Sequence, residues 1–325
     1  MTIHFVVPRE FADLAEQLPG MELGRNYPYW MGGHFNWVAQ SWLVLRQFRP
    51  GLTIGTDVRP GVINFGHSLL WRNVGPRIGE FRVGARADFP RLFDVDFEVL
   101  QNPAVSVSAK QAYLPYWPVP GQIERDSSRN GLRTIAYAGR IGKVNLAGEI
   151  LSGDWFGPKL NGLQFKIVPP DKWHDMSEID LLVAIRSFDR CVYPGKPPSK
   201  LFNAWRSSIP LLAGYDNAFS AVGQPNVDYV RIGSQPEFLQ SLTQLREDSI
   251  FYERIVAAGR ARAQEVSHER IAECWLDVID QRIVPAYKHW YESGGSTKRR
   301  ILAKIADQAR NMASAVKAVL RATAF

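Results

Sequence analysis

"IDLLVAIRSFDRCVYPGKPPSKLFNAWRSSIPLLAG", residues 179 to 214, holds two short apolar runs separated by a loop and an amphipathic stretch. "IDLLVAIR" and "IPLLAG" have the length and composition of buried strands, and "PPSKLFNAWRSS" between them repeats apolar residues at helical spacing. Strand, helix and strand in this order form a βαβ unit. Its helix N-terminus opens at the carboxyl edge of a parallel sheet, where open α/β sheets bind ligands. Proline at the first helical positions presets φ and removes amides that would lack partners, so the sequence predicts a helix from about Pro198. The amides around Ser199 and Lys200 stay free and carry the positive end of the helix dipole, and Lys196 and Lys200 add formal charge there. A phosphate group suits that spot. A proline-started helix whose lysines face solvent is the other reading, and the stretch alone leaves both open.

The same rhythm extends in both directions. "IHFVVP" (3 to 8), "LTIGTD" (52 to 57), "GVINFGH" (61 to 67), "EFRVGARAD" (80 to 88) and "DFEVLQN" (96 to 102) read as strands, with a helix in "FNWVAQSWLVLRQF" (35 to 48). "LPYWPVPGQIERDSSRNG" (114 to 131) interrupts the pattern with proline, glycine and charge, and reads as an interdomain linker. Strands then resume with "LRTIAYAG" (132 to 139), "LQFKIVPP" (163 to 170) and "VDYVRI" (227 to 232), followed by helices in "PEFLQSLTQLRED" and "IFYERIVAAGRARAQEV". Two similar α/β halves across a crevice are expected. The boundaries drawn from the sequence are an N-terminal domain over 1–115, a linker over 116–131, a C-terminal domain over 132–290 and a basic amphipathic helix over 291–325.

Composition narrows the function classes. The chain of 325 residues is 46% hydrophobic and 22% charged, enough to bury the cores of two domains. Its two cysteines, Cys191 and Cys274, lie far apart, so neither a disulfide scaffold nor a zinc site is indicated, and a cytoplasmic setting fits. The net charge of +7 points to an anionic partner. The cations are not gathered into one aromatic-studded groove, which argues against nucleic acid as that partner. No His, Cys, Asp or Glu cluster has metal-ligand spacing, and neither a metal nor a cofactor is expected.

"KPPSKLFNAWRSSIPLLAG" resembles the donor-site helix and following strand of B-fold (GT-B) glycosyltransferases, in a bacterial variant reading Lys-Pro-x-(Ser/Thr)-Lys-Leu-x-Asn-Ala-Trp. "GGHFNWVAQSWLVL" (32 to 45), "GARADFPRLFDVDFEVLQNP" (84 to 103) and "LPYWPVPGQIERDSSRNGLRTIAYAG" (114 to 139) agree with that variant. The resemblance implies two Rossmann-like domains facing a cleft, with a nucleotide diphosphate sugar donor on the C-terminal one and the acceptor on the N-terminal one. It also implies that Arg140 and Lys143, in "YAGRIGKVN", ligate the donor pyrophosphate; with Lys196, Ser199 and Lys200 of the helix tip and Asn203 on the same helix they make up the expected donor-binding set. Relatives of the retaining type carry two glutamates eight apart around this helix. This chain has none there, and its stereochemistry stays open.

Three further residues stand at the predicted cleft. His34 follows "GG" at a helix mouth, where backbone can approach a ligand; a surface loop histidine is the alternative. His67 ends "GVINFGH" and resembles in position the histidine with which relatives contact the donor sugar, while a satisfied core histidine fits the same pattern. Asp88 ends "GARAD", either as a base toward an acceptor hydroxyl or as the N-cap of a helix in "FPRLF". Trp117 and its aromatic neighbours suit a sugar subsite or a hinge packed between domains.

The segment from Lys298 to Phe325 places Ile301, Ile305, Ala309, Met312, Val316 and Val319 on one helical face amid lysines and arginines. It suits packing on the core or lying in an anionic membrane surface, which would put the protein at the inner membrane face. The sequence thus predicts a metal-independent transferase acting on a glycan or glycolipid acceptor. A polyanion binder, and an epimerase or hydrolase of nucleotide sugars on the same fold, are the rivals.

Overall fold

The apolar runs become the strands of two parallel sheets in a computed structural model that describes residues 1–24, 30, 32–141, 162–294 and 305. The first sheet contains β1 (Ile3–Val6), β2 (Thr53–Gly55), β3 (Ile63–His67), β4 (Phe81–Ala85), β5 (Phe97–Leu100) and β6 (Gln111–Tyr113), in the order β2-β1-β3-β4-β5-β6. Every pairing in it is parallel. Strands β1, β3, β4 and β5 are buried along their whole length, as a parallel sheet covered on both faces requires. The sequence pattern does not show β6, an edge strand too short for periodicity to register.

The second sheet contains β7 (Thr134–Ala138), β8 (Gln164–Val168), β9 (Leu181–Ala184), β10 (Leu211–Ala213) and β11 (Val230–Arg231), ordered β11-β10-β9-β7-β8 and again wholly parallel. Both sheets place their first strand between their second and third. Each therefore has a point where successive connections turn in opposite directions, at β1/β3 in the first and at β7/β9 in the second. Side chains and amides at the carboxyl ends of those strands line the crevice where ligands of this architecture bind.

The segment between the sheets is packed rather than slack. Trp117 is buried, stacks on Trp275 with centroids 5.5 Å apart, and donates from Nε1 to Ser41 Oγ at 2.7 Å. It is a hinge aromatic, not the wall of a sugar subsite. The Gln40 side chain donates to the Pro118 carbonyl at 2.9 Å, which ties the same segment to the first domain. Gly121 sits at φ +63° with the Gly24 carbonyl 2.6 Å from where a Cβ would stand, so only glycine fits this close approach.

The helix predicted over 35 to 48 forms as a π-helical turn, Phe35–Gln40, continued by Ser41–Leu45, and all but Phe35 of these residues are buried. Two of its polar side chains are anchored within it: Asn36 donates to Gln40 Oε1 at 2.9 Å, and Ser41 donates to the Trp37 carbonyl at 2.8 Å. After the second domain the chain returns through His268–Val278, Ile279–Ile283 and Val284–Glu292. There Trp275 packs on Phe65 at 5.3 Å, Tyr287 meets Phe81 edge-on at 5.3 Å, and Arg49 pairs with Asp280 at 2.7 Å. No helix among the described residues is long and apolar enough to cross a membrane. Apart from Ile305, the basic segment from Lys298 to Phe325 lies outside the described residues.

Candidate functional site

The helix in the opening stretch spans Ser199–Arg206, with Pro198 as its N-cap residue rather than its first residue. The helix begins one residue later than expected because Pro198, at ψ 22°, leaves the helical region while its carbonyl accepts from Leu201 and Phe202 at 2.9 and 3.1 Å. Leu201, Phe202, Ala204 and Trp205 form the buried face. Trp205 anchors it by donating from Nε1 to the Asp228 carbonyl at 3.0 Å, and it packs so closely on the helix Ser249–Ala263 that a Cβ on Gly259 would lie 2.9 Å from its ring. The opposite face carries Ser199, Lys200 and Asn203. Among the described residues the Ser199 and Lys200 amides have no acceptor, so the positive end of the dipole stays open toward the cleft.

Lys200 reaches the carboxyl ends of β7 and β9. Its Nζ stands 5.3 Å from the centroid of Tyr137, and it lines a small cavity with Tyr137, Arg186 and Phe219. Burial, reinforced by the charges of Arg186 and Lys196, pulls its ammonium down to about 8. Cations are thus gathered around an open helix N-terminus at the β7/β9 switch point. Arg140 lies exposed just past β7, where its carbonyl accepts from the Tyr137 hydroxyl at 3.2 Å. Asn203 is half-buried and its carbonyl accepts from Gln122 at 2.9 Å. Lys143 lies outside the described residues.

Lys196 and Asp88 meet across the cleft, Nζ to Oδ2 at 2.5 Å, with side chains 32% and 51% exposed. Asp88 also accepts from Gln101 at 2.8 Å, and Asn102 donates to the Tyr193 carbonyl at 2.8 Å. These contacts fasten the loop ahead of Ser199–Arg206 to the loops after β4 and β5. No helix forms over "FPRLF", so Asp88 is not an N-cap; its carboxylate is committed to the other domain. Gln101, Asn102, Tyr193 and Arg186 carry no motif, and sequence reasoning passed over them. Only the position of Arg186 at the end of "LLVAIR" offered a signal.

His34 and His67 come together at the β1/β3 switch point, rings edge-to-face with centroids 4.9 Å apart. His67 caps the helix Ser68–Asn73: its Nδ1 accepts from the Leu69 amide at 3.3 Å, which places the ring proton on Nε2. That Nε2 is buried without a partner among the described residues, as is His34 Nδ1. Burial, with His34 adding to it, pushes His67 down to about 3, and burial also lowers His34. Both imidazoles are neutral at pH 7, and His67 offers one N–H donor. Gly33 admits the ring, because a Cβ there would fall 2.1 Å from His67 Nε2. Gly33→Ala is expected to cost about 1–3 kcal/mol. Urea denaturation of Gly33→Ala, His67→Ala and the double variant would show the clash as a coupling above about 0.5 kcal/mol; additive losses would mean that the ring moves aside freely. Among the described residues no group of three His, Cys, Asp or Glu side chains converges as a metal site.

No family model and no curated protein matches the sequence. Solved structures with similar folds do exist. Anabaena HepE in complex with UDP and glucose aligns at TM-score 0.51 and 9% identity, covering 86% of this chain and 98% of HepE. Sucrose-phosphate synthase from Thermosynechococcus elongatus aligns at TM-score 0.50 and 10% identity, over 86% of this chain and 81% of the synthase. TarM aligns at TM-score 0.49 and 12% identity over 73% of this chain, which spans 57% of the length of TarM. What HepE and the synthase share with this chain is its fold, two parallel-sheet α/β domains facing a cleft, the arrangement that the sequence resemblance implied.

Proposed function

We propose that this protein is a glycosyltransferase that moves a sugar from a nucleotide diphosphate donor to a hydroxyl of a glycan or glycolipid in bacterial polysaccharide assembly. The observation that carries the reading is the open N-terminus of Ser199–Arg206, with Lys200 and Arg186 beside it, at the carboxyl ends of β7 and β9. HepE, of similar fold, was crystallised with UDP-glucose, which supports a nucleotide sugar as the ligand. In this reading the Ser199 and Lys200 amides, Lys200 and Arg140 bind the diphosphate and stabilise it as leaving group. His67 and His34 belong to the wall on the other domain's side of the transferred sugar; the Nε2–H of His67 lies under Gly33 and reaches a ligand only once that backbone shifts. Lys196 is shared: a bound diphosphate competes for it, and the Asp88 carboxylate it releases becomes available to an acceptor hydroxyl.

Because side-chain cations and helix amides neutralise the leaving group, turnover is expected to survive EDTA. A thermal-shift panel of UDP, GDP, ADP, CMP and dTDP sugars tests the donor class. A ligand at 100 times its Kd adds about 2.7 kcal/mol of stability, visible as a rise of a few degrees in Tm. One base should stand out from the panel. If none raises Tm, and binding instead falls steeply with salt for any polyanion, the reading fails in favour of a polyanion binder. Product formed without an acceptor would point to a hydrolase or epimerase. The proposed membrane attachment rests on the sequence of the segment from Lys298 to Phe325 alone.

A further inference from the structure

A second pocket, of about 490 Å³, lies at the carboxyl ends of β10 and β11, and Ala104 of the first domain contributes to its lining. It falls within the range of small-ligand sites. Its centre is Tyr215, whose ring has the Arg190 guanidinium 4.9 Å and the Arg231 guanidinium 5.0 Å from its centroid. Stacking on a ring uses the flat face of a guanidinium and leaves its in-plane N–H groups free to donate. Among the described residues neither arginine has a carboxylate within ion-pair distance. Asp216, the acid in the wall, is already spent: it accepts from Arg186 Nε at 2.9 Å and caps the Ala218 amide at 2.9 Å. Two like charges held around one ring repel each other, and an anion placed between the two forks relieves that repulsion while taking several charge-assisted hydrogen bonds. Ala104, Val192 and Ala221 in the same wall supply an apolar surface for the C–H face of a sugar. Asn217 fixes the wall by accepting from the Tyr193 amide at 3.2 Å and from Asn102 at 3.4 Å, so the pocket is assembled only when the two domains are together.

We propose that this pocket takes the anionic group of the acceptor, a carboxylate or phosphate carried on a sugar, and that the acceptor is therefore an acidic glycan. The inference rests on the glycosyltransferase reading for the word acceptor, but not for the binding itself. Saturation-transfer NMR on the full chain, with and without UDP, would use glucuronic acid, glucose 6-phosphate and glucose as probes. The anionic sugars are expected to bind and glucose not to. The stronger of the two identifies the carboxylate or the phosphate as the group recognised. Arg190→Gln and Arg231→Gln should each weaken that binding about tenfold or more, the loss expected for hydrogen bonds to a charged group, and leave UDP affinity unaltered. Glucose binding as well as the anionic sugars, or both variants binding like the parent, overturns the proposal even where UDP binds normally. Arginine-dependent binding of acidic sugars, with no nucleotide sugar of the five-base panel raising Tm, keeps the pocket and removes the donor reading instead.

Discussion

Lys200→Ala should lower affinity for the nucleotide diphosphate by on the order of a hundredfold, and affinity for the corresponding nucleoside hardly at all. The variant removes one charge-assisted contact, worth about 1.5–3 kcal/mol, from a site where Tyr137 and Phe219 shield it from water. The pH dependence has a definite sign. In the free protein Lys200 titrates at about 8 because burial, Arg186 and Lys196 all oppose its charge. A bound diphosphate stabilises that charge and raises the pKa, so binding takes up a proton above pH 8. Affinity should be level below about pH 8 and fall by up to tenfold per unit above it. Lys200→Arg stays charged and should flatten the profile while binding more weakly at pH 7, since a planar fork does not replace a point charge. Calorimetric titration from pH 6.5 to 9.5 checks both. Equal loss of nucleoside and diphosphate binding in Lys200→Ala would mean that the helix tip does not hold the phosphates.

The largest effect on stability is expected at Asp180, just before β9. Its buried carboxylate accepts from Arg125 at 2.9 Å, from Arg129 at 2.8 Å, and from the amides of Arg133 and Thr134 at 3.0 and 2.8 Å. Burial by itself would push this acid up, but the Arg129 side chain, the two amides and Arg125 outweigh it and hold it below the usual carboxylate range. Asp180→Asn keeps the volume but sets an NH2 group against guanidinium donors and leaves two partly buried cations uncompensated, at a cost of about 3–5 kcal/mol. A lowered folded pKa means that the stabilisation is present above the unfolded value of about 3.9 and is lost as pH falls through the folded one. The parent should show this acid-dependent loss in urea denaturation, and Asp180→Asn should lack it. A destabilisation under about 1 kcal/mol would show that solvent screens the network.

Much of this was legible in the sequence, and for a physical reason. A strand buried on both faces of a parallel sheet must be a short continuous apolar run, so "IHFVVP", "GVINFGH", "LRTIAYAG" and "IDLLVAIR" locate β1, β3, β7 and β9 to within a few residues. The helix in "KPPSKLFNAWRSS" was legible for the same kind of reason, since its buried face recurs at helical spacing. Edge elements without a full apolar face, β6 and the short helix Asn217–Val222, left no comparable trace.

What local pattern determined is the buried strands and the longer helices, the two-domain order and the placing of Ser199 and Lys200 at a sheet edge. What only the tertiary structure decided is which distant side chains meet. Asp88 and Lys196 are 108 positions apart and hydrogen-bond across the cleft. His34 and His67 share an edge because Gly33 lets the ring in, and Arg190 and Arg231 converge on Tyr215 because β9, β10 and β11 end side by side. Apolar periodicity is written residue by residue along the chain, because each strand or helix must bury its own face. Polar pairing between elements depends on loop paths and sheet order, which no local window of sequence contains.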